Sequence, residues 1–428
     1  MSQSPIWHPF TQMKTSPAPL KVVKGEGVML ELEDGRHIMD CISSWWVTIH
    51  GHAHPVLAEA LYKQAQKLEQ VIFAGFTHEP AEELARKLLT ILPPSLTRVF
   101  FSDNGSTANE VALKMAYQYW INKGEKHRTR FIGFEGGYHG DTIGAMSVGK
   151  GSIWWDLFQP LMFTTDLLPY PATFDGDTEV EIKEQQTLST IKQLVEKNGN
   201  SYAAIFIEPL IQGAAGMRIC RPEFLQSLRK LVTELNILLV YDEVMTGFGR
   251  TGEIFSCIKS NTSPDIICLS KGLSGGCLPL SVTITTEEIC QAFYSDDAKK
   301  MLVHSHSYTA NPLACATGLA SFDLLLNNPR SYQGLEVKHR EYLNKYIVGN
   351  SKVEQIRTCG TIAAFDIKTE SGGYFSEISP MLRARFIQEG FLIRPLGNTV
   401  YLMPPYCITS EQLESVYQVI SKVLDTLG

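Results

Sequence analysis

No run of roughly eighteen apolar residues interrupts the sequence, so nothing in it reads as a membrane-spanning helix. The opening residues, Met1-Ser2-Gln3-Ser4-Pro5, lack the basic stretch and apolar core expected of a secretory signal. A basic excess is missing as well. Lys and Arg number 38 against 45 Asp and Glu, and the formal charge of −7 has the wrong sign for a nucleic-acid binder. Nine cysteines are present, at 41, 220, 257, 268, 277, 290, 315, 359 and 407. Their number is odd and no pair has CxxC spacing, so neither a disulfide framework nor a zinc knuckle is expected. They read as reduced core residues of a cytoplasmic protein. Internal repeats and low-complexity stretches are also absent.

What is present is an ordinary globular composition, 44% apolar and 19% charged, in 428 residues. That length favours two or three domains. The middle of the chain alternates short apolar runs with longer amphipathic ones, the pattern of strand–helix units on a mainly parallel sheet. Residues 97–102 (TRVFFS), 130–134, 203–207, 237–241 and 266–269 are predicted strands, and 106–120 a helix with Val111, Met115 and Tyr119 on one face. Around Asp34-Gly35, residues 28–32 and 36–40 form a predicted hairpin. After about residue 320 the pattern changes to long helices with a few strands, including 361–367 and 400–403. The expected fold is therefore α/β: a mainly parallel large domain over 51–319, and a smaller α+β domain built from 1–50 and 320–428.

Ligands of such sheets collect at the carboxyl ends of strands, so the chemistry is sought there. Lys271 follows the apolar run 266–269 and precedes Gly272, Gly275 and Gly276. A lone lysine in a loop is ordinarily a solvated surface residue. Desolvated beside a strand end, however, its amine becomes nucleophilic and can form a Schiff base with an aldehyde cofactor. Asp242 closes the run 237–241. A carboxylate there can simply cap the next helix, or it can keep a cofactor's pyridine nitrogen protonated. Glu243 follows, but neighbours in a strand face opposite ways, so one of the two faces the cofactor. The turn Asn104-Gly105-Ser106 opens a helix, where free N–H groups suit a phosphate as well as an ordinary N-cap. His50, His52 and His54, like His304 and His306, alternate as metal ligands on a strand can. No carboxylate or cysteine completes either set at typical spacing, so no metal is expected.

Taken together, residues 240–244 (VYDEV), 246–252 (TGFGRTG) and 270–273 (SKGL) resemble the signature of the class III aminotransferases. Residues 104–106 (NGS), 136–140 (GGYHG) and 207–209 (IEP) match the same family in the same order, and the likeness runs from about residue 8 to the C-terminus. The resemblance implies the fold of type I pyridoxal-phosphate enzymes. It makes Lys271 the lysine that holds the cofactor, Asp242 the partner of its ring nitrogen, Tyr138 the residue stacked on its ring, and Gly105 and Ser106 the seat of its phosphate. Ser307 would reach the phosphate in a neighbouring subunit, which implies a homodimer with shared sites. Trp45 and Trp46 (in SSWW, 43–46) and Phe10 (in WHPFTQM, 7–13) would border the substrate, Arg394 would take a carboxylate of a keto-amino acid, and Asp141 and Arg250 would shape the pocket. A long carboxylate needs an apolar trough and one fixed cation, and these residue types supply both. Plain core packing for one tryptophan, and a surface ion pair for Arg394, are the structural alternatives.

The same likeness implies a two-stage transamination with small-molecule substrates. Where many members carry tyrosine this chain has Phe10, and residues 304–308 (HSHSY) also depart from the usual form, so S-adenosylmethionine and lysine both stay open as amino donors. Other ω-amino substrates such as ornithine or 4-aminobutyrate are disfavoured by the paired tryptophans and by residues 401–406. An aminomutase would run without a separate donor. A non-catalytic binding module would have no use for Lys271 and Asp242, and both are present.

Overall fold

The computed structural model describes residues 5–149, 153–369 and 378–427. Its largest sheet has seven strands: β4 (Leu96–Ser102), β5 (Arg130–Phe134), β6 (Asp166–Leu168), β7 (Tyr202–Ile207), β10 (Leu238–Asp242), β11 (Ile266–Leu269) and β12 (Ser281–Thr286). They lie in the order β4-β12-β11-β10-β7-β5-β6. β12 runs antiparallel to both neighbours and the remaining pairings are parallel, as in Val240 opposite Ile266 and Leu238 opposite Ala204. Every residue of β7, β10 and β11 is buried. That follows from continuous apolar runs in a sheet covered on both faces.

Before the large sheet, β1 (Val22–Glu26), β2 (Met29–Leu32) and β3 (His37–Asp40) form a meander. The short β8 (Ile211–Gln212) and β9 (Arg218–Ile219) make a hairpin after β7. β13 (Val353–Cys359), β14 (Ile362–Ile367) and β16 (Thr399–Leu402) make a three-stranded antiparallel sheet, while β15 (Phe391–Leu392) pairs in parallel with β3. The two ends of the chain thus share a sheet. Residues 319 and 320 lie inside the helix Pro312–Asn327.

The helix Gly105–Asn122 shows how sequence places the site. Asn104 and Thr107 form a reciprocal capping box that fixes its first turn. Its buried stripe, Ala108, Val111, Ala112, Met115 and Tyr119, has helical spacing and packs toward β11 and β12. Burial of Val111 or Met115 contributes about 1.5–3 kcal/mol each. Trp120 Nε1 donates to the Ala203 carbonyl at 2.9 Å and ties the helix to β7.

Of the nine cysteines, all free, six are buried, Cys290 is half-buried, and Cys277 and Cys407 are exposed. Among the described residues no helix is long and apolar enough to cross a membrane.

Candidate active site

Five strand ends converge on one edge of the large sheet. β10 ends in Asp242, β11 leads into Lys271, β7 into Glu208, β5 into the turn 135–140, and β4 into the helix that starts at Gly105. Between them lies a cavity of about 450 Å³ lined by Gly105, Ser106, Tyr138, Asp242, Lys271 and Trp46, with His139 and Glu208. Six of the residues singled out in the sequence are therefore neighbours.

Lys271 stands in a 3-10 turn with φ at +46°, a left-handed conformation uncommon for a side chain with a Cβ. Its Nζ lies 4.6 Å from the centroid of the Trp46 ring. Burial pushes the amine down from 10.5 to about 8, with Asp242 and Glu208 resisting the fall. At pH 7 about one molecule in ten then carries the free base, since one pH unit is a factor of ten. The depressed value also fixes the sign of the linkage. Between pH 8 and 10.5 the unfolded chain binds more protons at this site than the folded one, so the burden of the buried amine is full below 8 and lifts as pH rises through that window. Uptake of pyridoxal phosphate by the cofactor-free protein should accelerate with pH and level off above a midpoint near 8. Stopped-flow absorbance would test this, and a rate flat from pH 6 to 9 would contradict it.

Asp242 is fixed from three sides. Oδ2 accepts from His139 Nδ1 at 2.7 Å and from Asn109 Nδ2 at 2.8 Å, and Oδ1 accepts from the Val244 N–H at 3.0 Å. Burial works against charging His139, but the hydrogen bond and charge of Asp242 outweigh it and raise the imidazole above its ordinary value. Glu243 points the other way. Its carboxylate accepts from the N–H groups of Ser256 and Cys257 at 2.6 and 2.8 Å, capping a short helix. The two neighbouring acids thus point to opposite faces of the strand. Glu208 accepts from the N–H groups of Tyr138 and Gly213 at 3.2 and 3.0 Å, and burial raises its carboxyl to about 8.

At the phosphate-ready end, Ser106 Oγ accepts from the Asp141 N–H at 3.3 Å. Gly105 and Gly140 are there for close approach. A Cβ on Gly105 would stand 2.6 Å from Val244 Cγ1, and one on Gly140 2.0 Å from Ser106 Oγ. Tyr138 stacks on Trp155 at 6.0 Å and donates its hydroxyl to Asp141 Oδ2 at 3.0 Å.

The other singled-out residues stand apart from this lining. Trp45 is 45% exposed where Trp46 is 5%. Phe10 meets the Trp45 ring at 6.0 Å, and the Arg394 guanidinium lies over that ring at 4.8 Å. Arg250 is buried, donating to the Pro404 carbonyl at 3.0 Å and lying over the Tyr406 ring. Ser307 is exposed, and its carbonyl accepts from Gln70 Nε2 at 2.8 Å. Sequence reasoning gave no role to Asn109, His139 or Glu208. Glu208 had a readable signal, an acid closing an apolar run just as Asp242 does. Asn109 had none, being one polar residue in a helix. Among the described residues no group of three His, Cys, Asp or Glu stands close enough to hold a metal ion, and His52 pairs instead with Asp40 at 2.8 Å.

A helix N-terminus cleared for an anion, a buried amine of lowered pKa and a braced carboxylate have no common use for an ordinary metabolite. A cofactor joining phosphate, aldehyde and ring nitrogen uses all three, and the residues fit it, which defines a pyridoxal-phosphate-dependent enzyme of fold type I. The chain belongs to the class III aminotransferases, whose family pattern matches residues 10–424. It is 52% identical to the adenosylmethionine-8-amino-7-oxononanoate aminotransferase of Synechococcus elongatus, with 99% of each chain covered. Identity to the enzyme of the same description from Geobacter sulfurreducens is 37%, covering 99% of this chain and 96% of the relative. Among solved structures, the Methanocaldococcus jannaschii enzyme so described superposes with a TM-score of 0.91 at 34% identity, over 98% of this chain and 96% of that one. A PLP-bound amine transaminase from an uncultivated Pseudomonas species superposes at 0.91 with 28% identity, over 99% and 98% of the two chains.

Proposed function

We propose that this transaminase aminates 8-amino-7-oxononanoate to 7,8-diaminononanoate, a step of biotin biosynthesis, with S-adenosylmethionine as amino donor. The observation that carries the substrate reading is the pair of adjacent indoles. Trp46 lies at the lysine amine, and Trp45 lies under the Arg394 guanidinium. An acceptor with a reacting ketone, an apolar chain and a terminal carboxylate matches that sequence of surfaces. The relatives' descriptions name the same acceptor and donor.

Pyridoxal phosphate, when bound, supplies the electrophilic carbon and the electron-withdrawing ring. Gly105 and Ser106 would hold its phosphate at the helix N-terminus, and Tyr138 would pack against the ring. Asp242, braced by His139 and Asn109, would keep the ring nitrogen protonated. Lys271 Nζ would hold the cofactor and would serve as the acid–base group that moves the substrate proton. Because donor and acceptor use one site in turn, ping-pong kinetics follow. Arg394 binds the acceptor's carboxylate, Phe10 and Trp45 flank its chain, and Asp141 and Arg250 hold the walls through the Tyr138 hydroxyl and the Trp46 carbonyl.

The working form is a homodimer in the cytoplasm, with Ser307 completing the phosphate site of the partner. Exposed apolar side chains surround it: Met301, Val303 and Tyr308 on its own segment, and Ile72 and Phe76 near Gln70, which bonds to its carbonyl. Such a cluster is what a second copy covers.

The substrate reading is tested with Arg394→Gln. Loss of a charged hydrogen bond should raise the acceptor KM about 10- to 100-fold, while the donor half-reaction keeps its rate. An unchanged acceptor KM would send the carboxylate elsewhere.

A further inference from the structure

The two indoles are aimed by a short segment that is itself under strain. Over residues 43–46, Ser43, Ser44 and Trp46 all have left-handed φ values of 51°, 60° and 68°, and Ser44 has ψ at −101°. None is glycine. Left to its own preferences such a segment relaxes to negative φ, which would swing both rings away. Something must hold it.

The holding group is Asp40, at the end of β3. Its side chain is fully buried, and both carboxylate oxygens are spent on this turn. Oδ1 accepts from the Ile42 N–H at 3.0 Å, and Oδ2 from the Ser44 N–H at 2.6 Å. His52 Nε2 lies 2.8 Å from Oδ2 and locks the carboxylate from the far side. Other ties hold the same segment: Ser43 Oγ donates to the Met403 carbonyl at 2.8 Å, Trp46 Nε1 to the Tyr401 hydroxyl at 2.9 Å, and the Trp46 and Val47 N–H groups to the Ile42 and Ser43 carbonyls. Asp40 does not line the cavity at Lys271.

We propose that Asp40, locked by His52, is the positioning residue for the acceptor pocket: it imposes the left-handed turn that sets Trp46 against Lys271 and Trp45 against Arg394. The proposal rests on Trp45 and Trp46 bordering the substrate. In chemical terms it is a specificity device for a long, apolar acceptor.

The test is steady-state kinetics of the cofactor-loaded enzyme for Asp40→Asn, His52→Gln, Trp45→Ala and Trp46→Ala. An asparagine keeps the volume but turns one acceptor into a donor that faces an N–H group. Misplaced walls of this kind should raise the acceptor KM about 10- to 100-fold in Asp40→Asn, with kcat and the bound cofactor's visible band close to wild type. His52→Gln exchanges the fixed imidazole donor for a flexible amide, loosening one tie of three, and should raise the same KM about threefold. A near-ultraviolet dichroism spectrum with altered tryptophan bands should accompany both. If Asp40→Asn instead loses cofactor and kcat with its acceptor KM unchanged, the residue is merely structural and the proposal is wrong. Should that variant fail to fold, His52→Gln decides by the same criterion. If Trp45→Ala and Trp46→Ala leave the acceptor KM unchanged, the substrate reading itself fails, a result distinct from failure at Asp40 alone.

Discussion

Lys271→Ala is expected to lower turnover by at least about 10⁴-fold, because one atom is both the anchor of the cofactor and the acid–base of the proton transfer. The fold should survive. The lysine is buried with its amine pushed down to about 8, so its removal relieves a desolvation burden instead of breaking a salt bridge. Alanine meets the same left-handed backbone at φ +46° and adds no new contact. The melting temperature of the cofactor-free protein should therefore be no lower than that of wild type, with unchanged dichroism, while the visible band of the lysine-bound cofactor is lost. Single-turnover assays with the donor would read the rate. Activity within tenfold of wild type would contradict the mechanism.

The second large effect is at Asp242, where activity and stability separate. Asp242→Ala leaves His139 Nδ1 buried without its acceptor, while Asn109 Nδ2 keeps the carbonyls of Gly105 and His139. Stranding one buried polar group costs about 1–3 kcal/mol, which denaturant unfolding would record. Turnover should fall about 10³-fold from loss of the charge at the ring nitrogen. Asp242→Asn keeps the volume and part of the hydrogen bonding, so the stability loss shrinks while the activity loss stays. A near-wild-type kcat in Asp242→Asn would remove the carboxylate from the mechanism.

Much of this site was legible because its residues punctuate apolar runs. Asp242 and Lys271 end or follow strands that are buried on both faces, and a charge there stands out against β-rich surroundings. Gly105 and Ser106 were legible through the helix start. The strands themselves were found where they are long and apolar, as in β5 and β11, whose limits match residue for residue. β12 escaped because Ser281, Thr283 and Thr285 alternate with Val282 and Ile284 and look like a half-exposed strand, although all five are buried. The domain limit at 319/320 was drawn from a change of pattern, and one helix runs across it without a break in periodicity.

What stayed hidden depends on contacts between distant segments. Asn109 bonds to Asp242 across 133 positions, and Asp40 acts through backbone N–H groups that carry no sequence signal. Adjacent residues in an extended segment face opposite ways. The paired tryptophans do diverge, but through a left-handed turn, so that Trp46 joins the cavity and Trp45 reaches Arg394. Arg250, expected to shape the pocket, is buried, donating to the Pro404 carbonyl and lying over the Tyr406 ring.

The most direct test is an absorbance scan of the purified, cofactor-loaded protein, with S-adenosylmethionine and lysine added separately and 8-amino-7-oxononanoate afterwards. A visible band that fades with S-adenosylmethionine, is indifferent to lysine and returns with the keto acid is the predicted result. A band that fades with neither donor, or fades but does not return with 8-amino-7-oxononanoate, would contradict the proposed reaction.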